Sequence, residues 1–195
     1  MQRMKYDGEK HKRRSIRLSG YDYAQSGAYF VTICTQNRAC LFGTVTDGKV
    51  RLNDAGRIIQ NMWSELPGRF SQIDVDSFVA MPNHIHGVIV VGAQFIAPSN
   101  SPPDMVEDAA RGAMNRAPTV GEVIRVYKAV SARAIRSTIS ADFRWQRNYY
   151  EHIVRNEESL NRIRQYIVDN PIRWDLDRDN PAVITPEPKD AWQLR

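Results

Sequence analysis

The stretch IDVDSFVAMPNHIHGVIVV, Ile73 to Val91, constrains the fold more than any other part of the chain. Two β-prone apolar runs, Val75–Met81 and His84–Val91, flank a turn of only Pro82 and Asn83, and runs joined so closely pair as an antiparallel hairpin. Side chains alternate across a strand, so His84 and His86 share one face while Ile85 points to the other. Their Cα atoms then lie about 7 Å apart, two strand rises, which lets both imidazoles reach one ion. Two polar residues at the open end of a strand is the competing reading of the same pattern.

The rest of the chain supplies partners for this hairpin. AYFVTICTQ, Ala28 to Gln36, has the β-branched and aromatic content of a buried strand centred on Tyr29–Thr35. After the turn signal TDGK, the apolar positions Ile58, Ile59, Met62, Trp63 and Leu66 repeat with a helical period that Pro67 and Gly68 end. Residues 92–118 are rich in Pro, Ser, Asn and Ala and read as a flexible insertion. A capping box, Thr119 with Glu122, opens a helix whose apolar side carries Val120, Val123, Ile124, Tyr127, Val130, Ala134 and Ile135. FRWQRNYYEHIV, Phe143 to Val154, is aromatic and β-prone, which predicts another strand. Asn156 as N-cap, Glu157 and Glu158 in the first turn and Pro171 at the exit frame a helix of about fourteen residues. Beyond it the chain is polar and punctuated by proline, more tail than core. Strand, helix, strand, strand, helix, strand, helix is the order of an α+β, ferredoxin-like sandwich with a mostly antiparallel sheet, helices on one face and an additional C-terminal helix.

Size and charge narrow the function classes. At 195 residues with 42% hydrophobic and 25% charged residues, the chain suits one domain that needs no covalent staples. No apolar run approaches a membrane span, the basic N-terminus is not followed by a secretory h-region, and two cysteines make no disulfide framework, so a cytoplasmic protein is expected. The formal charge of +5 points to a polyanionic partner through its placement. Arg13, Arg14 and Arg17 cluster in an N-terminal arm, residues 1–24. Arg125, Lys128, Arg133 and Arg136 line the polar side of the capped helix, where a solvated face and a surface that tracks phosphates are equally served. Trp145 and Arg147 fit DNA contacts and structural roles alike.

Tyr166 and Asn170, four residues apart in IRQYIVDNP, stack on nearly one face of the last helix, beside its apolar stripe. Asn170 offers a neutral oxygen that could join His84 and His86 on an ion. Such a shell, without thiolate or carboxylate, suits a labile Mg²⁺ or Mn²⁺ completed by phosphate oxygens better than structural zinc.

MPNHIHGVIVV, WQRNYYEHIVRNEE and IRQYIVDNP, in that order, resemble the REP-associated tyrosine transposases, a branch of the single-tyrosine HUH transposases. HUH denotes histidine, hydrophobe, histidine, matched by His84, Ile85 and His86. The resemblance runs from about Tyr29 to Trp174, outside the insertion, within a nuclease domain of residues 25–174 and before a polar tail of residues 175–195. It implies a ferredoxin-like nuclease that cuts and rejoins single-stranded hairpin DNA through a covalent 5′-phosphotyrosine, with Tyr166 as nucleophile, and His84, His86 and Asn170 as ligands of Mg²⁺ or Mn²⁺. Arg162, one turn before Tyr166, is a candidate for activating the phenol. The resemblance leaves monomer and homodimer open. Two rivals stand beside it: a zinc hydrolase built on the H-x-H pair, which lacks an evident third strong ligand, and a domesticated protein that binds hairpin DNA without cutting it.

Overall fold

The computed structural model describes residues 26–92, 118–188 and Gln193. The N-terminal arm with Arg13, Arg14 and Arg17, and nearly all of the insertion, lie outside these residues. A four-stranded antiparallel sheet organises the fold, with β1 (Gly27–Cys34), β4 (Ile73–Ala80), β5 (His84–Val91) and β6 (Tyr150–Val154) in the order β4-β5-β1-β6. Between β1 and β4 come the hairpin β2 (Gly43–Thr46) and β3 (Lys49–Leu52), the helix α1 (Asp54–Ser64) and the single turn α2 (Leu66–Arg69). The helix α3 (Val120–Thr138) precedes β6, and α4 (Glu157–Asp169) follows it. This is the expected α+β sandwich.

Strand alternation divides the side chains between two cores. On β1 and β5, Tyr29, Val31, Ile33, Ile85 and Ile89 face α1 and α3, where Ile59, Trp63, Val123, Ile124, Tyr127 and Ile135 complete the main core. Phe30 and Val88 face the other way and pack under Ile163 and Ile167 of α4. The additional helix therefore covers the face of the sheet that carries both histidines. In β4 a bulge between Val75 and Phe78 shifts the alternation by one residue, so that Ile73 and Val75 before it and Phe78 and Ala80 after it all meet the main core.

Local signals set the element ends. The side chain of Asn53 accepts from the Gly56 amide at 3.0 Å, Thr119 and Glu122 form the capping box, and Asn156 accepts from the Ser159 amide at 2.8 Å. Asp47 (φ 51°) and Gly48 (φ 68°) make the left-handed turn that joins β2 to β3, a hairpin which TDGK announces only as a turn.

Two expectations need correction. The strand expected over Phe143–Val154 is confined to Tyr150–Val154, with Trp145 making one isolated bridge to Thr35. Phe143 and Trp145 plug the end of the main core, and the backbone between and after them bonds instead to Gln36 and Cys34. Trp145 is 8% exposed and donates from Nε1 to Ser131 Oγ at 3.0 Å, so its packing serves the structural one of its two expected roles. The polar C-terminal segment is no free tail: a 3₁₀ helix, Pro171–Leu176, leads into Asp177, Asp179 and Asn180, all buried. Its polar residues bond largely to one another and to the loop after β1, a pairing that hydropathy cannot register.

Candidate functional site

Register brings the site together at the end of β5. His84 pairs with Cys34 and His86 with Thr32 across the β5–β1 ladder, on the face that α4 covers. The Nε2 atoms of the two histidines are 3.1 Å apart. Both rings are buried, His84 at 0% and His86 at 4% exposure.

Each ring is held from behind. Asn83 is fully buried, and its Nδ2 donates to the carbonyls of Arg38 at 3.0 Å and Asp179 at 2.7 Å. With both amide hydrogens engaged, Asn83 Oδ1 is an acceptor for His84 Nδ1–H at 2.8 Å, which leaves the His84 Nε2 lone pair facing inward. Thr32 Oγ1 lies 2.8 Å from His86 Nδ1, and a hydroxyl can serve either tautomer of that ring. Burial pushes the His84 imidazole down to about 4, and burial with the neighbouring His84 pushes His86 down to about 3, so both rings are neutral at physiological pH.

α4 delivers Tyr166 to this pair. Its hydroxyl is 3.5 Å from His86 Nε2, and its ring meets Phe30 edge-on, with centroids 6.0 Å apart, while Phe30 stacks on His86 at 5.5 Å. The helix is tied to β4 by Arg164, which donates to both carboxylate oxygens of Asp76, the shorter contact being 2.7 Å. That guanidinium holds the Asp76 carboxyl down at about 2. Phe30, Thr32, His86, Asn148, Tyr149 and Tyr166 are among the residues lining a cavity of about 180 Å³ that opens beside the phenol.

Asn170, at the end of α4, is 3% exposed and its Oδ1 has no hydrogen-bond partner. It lies beside Asp177, a carboxylate that the sequence expectations do not include. Asp177 Oδ1 accepts from the Asp179 amide at 2.7 Å, while Oδ2 has no hydrogen-bond partner and lies 3.6 Å from His84 Nε2. Arg38 clamps this segment through the Arg178 carbonyl and the Asp179 carboxylate, each at 3.1 Å. No local signal marks Asp177; only its docking beside the histidines does.

The donors fit a divalent ion. Two nitrogen ligands at about 2.1 Å and at right angles sit about 3.0 Å apart, close to the spacing of the two Nε2 atoms. Asp177 Oδ2, buried beside them without a hydrogen-bond partner, is what a bound cation would satisfy, and Asn170 Oδ1 is a second buried oxygen without one. His84, His86 and Asp177 are the group of potential ligands that converge within 4.8 Å of one another among the described residues.

Other expected site residues are placed elsewhere. Arg125 and Arg133 are exposed on α3, the layer opposite Tyr166, and Arg147 is exposed on the loop before β6. Lys128 on α3 is engaged with the carbonyls of Gln146 at 2.5 Å and Arg147 at 3.1 Å, so it braces that loop. Arg162 pairs with Glu158 at 3.0 Å, one turn further from Tyr166. Among the described residues no helix is long and apolar enough to cross a membrane.

No protein-family model matches the chain. An uncharacterized protein of Haemophilus influenzae is 41% identical over 177 residues, 89% of this chain and 96% of its own length. A solved structure of a REP-associated tyrosine transposase bound to a REP hairpin is similar over 80% of this chain and 74% of that one, with 17% identity and a TM-score of 0.49.

Proposed function

We propose that this chain, which belongs to the same family as the Haemophilus influenzae protein, is a metal-dependent single-stranded DNA endonuclease and strand transferase that acts on hairpin DNA through a covalent 5′-phosphotyrosine. The observation that carries the reading is the Tyr166 hydroxyl set 3.5 Å from His86 Nε2, beside a second neutral imidazole and at the mouth of an open cavity. A phenol on a helix surface has many uses. A phenol beside two converging, neutral imidazoles has the arrangement of a nucleophile next to a cation site.

His84 and His86 would hold the ion, Mg²⁺ or Mn²⁺, with Asn170 Oδ1 as the neutral oxygen donor. When bound, the ion polarises the scissile phosphate and offsets the charge that develops on it. Tyr166 Oη forms the new bond to phosphorus as the bond to the 3′ oxygen breaks, and the proton lost by the phenol is balanced by the one the leaving 3′ hydroxyl gains. The ester preserves the energy of the broken linkage for rejoining. Phe30 keeps the Tyr166 ring edge-on and the His86 ring flat, so neither has to be ordered at the moment of reaction. A single-stranded substrate suits the aromatic lining of the cavity, where Tyr149 offers a face for a base.

Covalent trapping tests this. Wild type and Tyr166→Phe are incubated with end-labelled hairpin DNA and Mn²⁺ or Mg²⁺ and run on a denaturing gel. A metal-dependent protein–DNA adduct in the wild type alone is the expected result. An adduct that survives in Tyr166→Phe moves the nucleophile to Tyr149 or Tyr150, and binding without an adduct over a panel of hairpins leaves a DNA-binding protein.

A further inference from the structure

The Asp177 carboxylate lies at the histidine pair, and the proposed ligand set leaves it without a role. Its side chain is 3% exposed, and its Oδ2 is aimed at His84 Nε2 across 3.6 Å, too long for a hydrogen bond. Oδ1 is fixed by the Asp179 amide, so Oδ2 cannot turn away without breaking that bond. Burying a carboxylate with one oxygen unsatisfied is costly, and Oδ2 has no hydrogen-bond partner to relieve that cost.

Charge gives the same answer from the other side. Two neutral imidazoles and a neutral amide would leave a divalent ion with its full charge in a site where both rings are buried. An anionic partner within the protein would offset that charge for as long as no phosphate is bound. Asp177 is the carboxylate that converges with both histidines within 4.8 Å.

On the reading that the site holds a divalent ion, we infer that Asp177 is a ligand of that ion in the DNA-free protein, and that the C-terminal segment is thereby part of the metal site. The segment is held in the required shape by its own bonds and by its neighbours. Asp177 N–H donates to the Trp174 carbonyl at 3.1 Å, and Arg38 and Asn83 hold residues 178 and 179 against the loop after β1. Asn83 links the two halves directly, since one amide orients His84 and grips the Asp179 carbonyl. Linkage then requires reciprocity. Whatever undocks the segment lowers metal affinity, and bound metal holds the segment down by the same factor.

Titration calorimetry of the full chain with MnCl₂, without DNA, tests this on wild type, Asp177→Asn and His84→Ala, with circular dichroism as the check on folding. Asp177→Asn is expected to weaken Mn²⁺ binding by about ten-fold or more, within the range that supporting groups of metal sites already reach. Hydrogen exchange on wild type gives a readout that needs no variant: Mn²⁺ should slow exchange at the Asp179 and Asn180 amides. Wild-type affinity in a folded Asp177→Asn, or no protection of these amides at saturating Mn²⁺, overturns the inference. Either result, with a Tyr166 adduct still formed and Mn²⁺ binding lost in His84→Ala, leaves the proposed function standing. Absence of both Mn²⁺ binding and adduct in wild type removes the two together.

Discussion

Gly87 directly follows the histidine pair, and replacing it with alanine puts the two-faced reading of β5 to a quantitative test. A Cβ at this position would lie 2.4 Å from Trp63 Cζ2 and 2.9 Å from Cη2, well inside the 3.4 Å at which ordinary contact begins. Trp63 cannot give way easily: it stacks on Phe78 with centroids 5.1 Å apart, meets Tyr127 edge-on at 5.4 Å and is 2% exposed. The strain therefore spreads between α1 and β5. Overpacking of this kind costs about 2 kcal/mol, within a range of roughly 1–3, which for a chain of this length lowers the melting temperature by roughly 4–8 °C. Thermal melts followed by circular dichroism measure it. Trimming the partner should relieve the clash, so that Gly87→Ala with Trp63→Phe is less destabilised than the two single variants summed, by about 0.5 kcal/mol or more. A melting temperature within about 2 °C of wild type for Gly87→Ala would mean that the strand and α1 are not packed as described. Full additivity in the double variant would place the cost elsewhere.

The Asp76–Arg164 pair that ties α4 to β4 is partly solvated, and Asp76→Asn should cost about 0.5–1 kcal/mol at neutral pH. Because the folded Asp76 carboxyl is lowered from 3.8 to about 2, that contribution is present above pH 4 and fades as pH falls towards 2; urea titrations of wild type and variant should therefore converge in acid, and a gap that stays constant would contradict the pairing. Trp145→Ala should lose about 3–5 kcal/mol of stability through the cavity it leaves, whereas Trp145→Phe should bind hairpin DNA as wild type does in a filter assay; weakened DNA binding in the phenylalanine variant would restore Trp145 as a contact. Mn²⁺ at a hundred times its dissociation constant should stabilise wild type by about 2.7 kcal/mol, reversibly by chelation, and leave His84→Ala unmoved; an equal shift in both would put the ion elsewhere.

Adjacent residues determined much of this protein. Period-2 alternation put His84 and His86 on one face of β5, capping chemistry at Asn53, Thr119 and Asn156 fixed the helix starts, and the turn at Pro82 and Asn83 dictated the hairpin. These are short-range effects, so a linear reading sees them. What no such reading reaches is which groups from distant segments meet. That α4 covers the histidine face follows from Phe30 and Val88 finding Ile163 and Ile167, more than seventy residues on in each case, and from Arg164 finding Asp76. The sequence leaves Trp145 open between core and surface until Ser131 and the main core enclose it, and does not show that Lys128 meets the Gln146 carbonyl. Asp177 is the clearest case. Its polar, proline-punctuated surroundings read as tail, because hydropathy measures transfer of single side chains and is blind to a carboxylate whose burial depends on an amide, an arginine and two imidazoles that only the folded chain assembles around it.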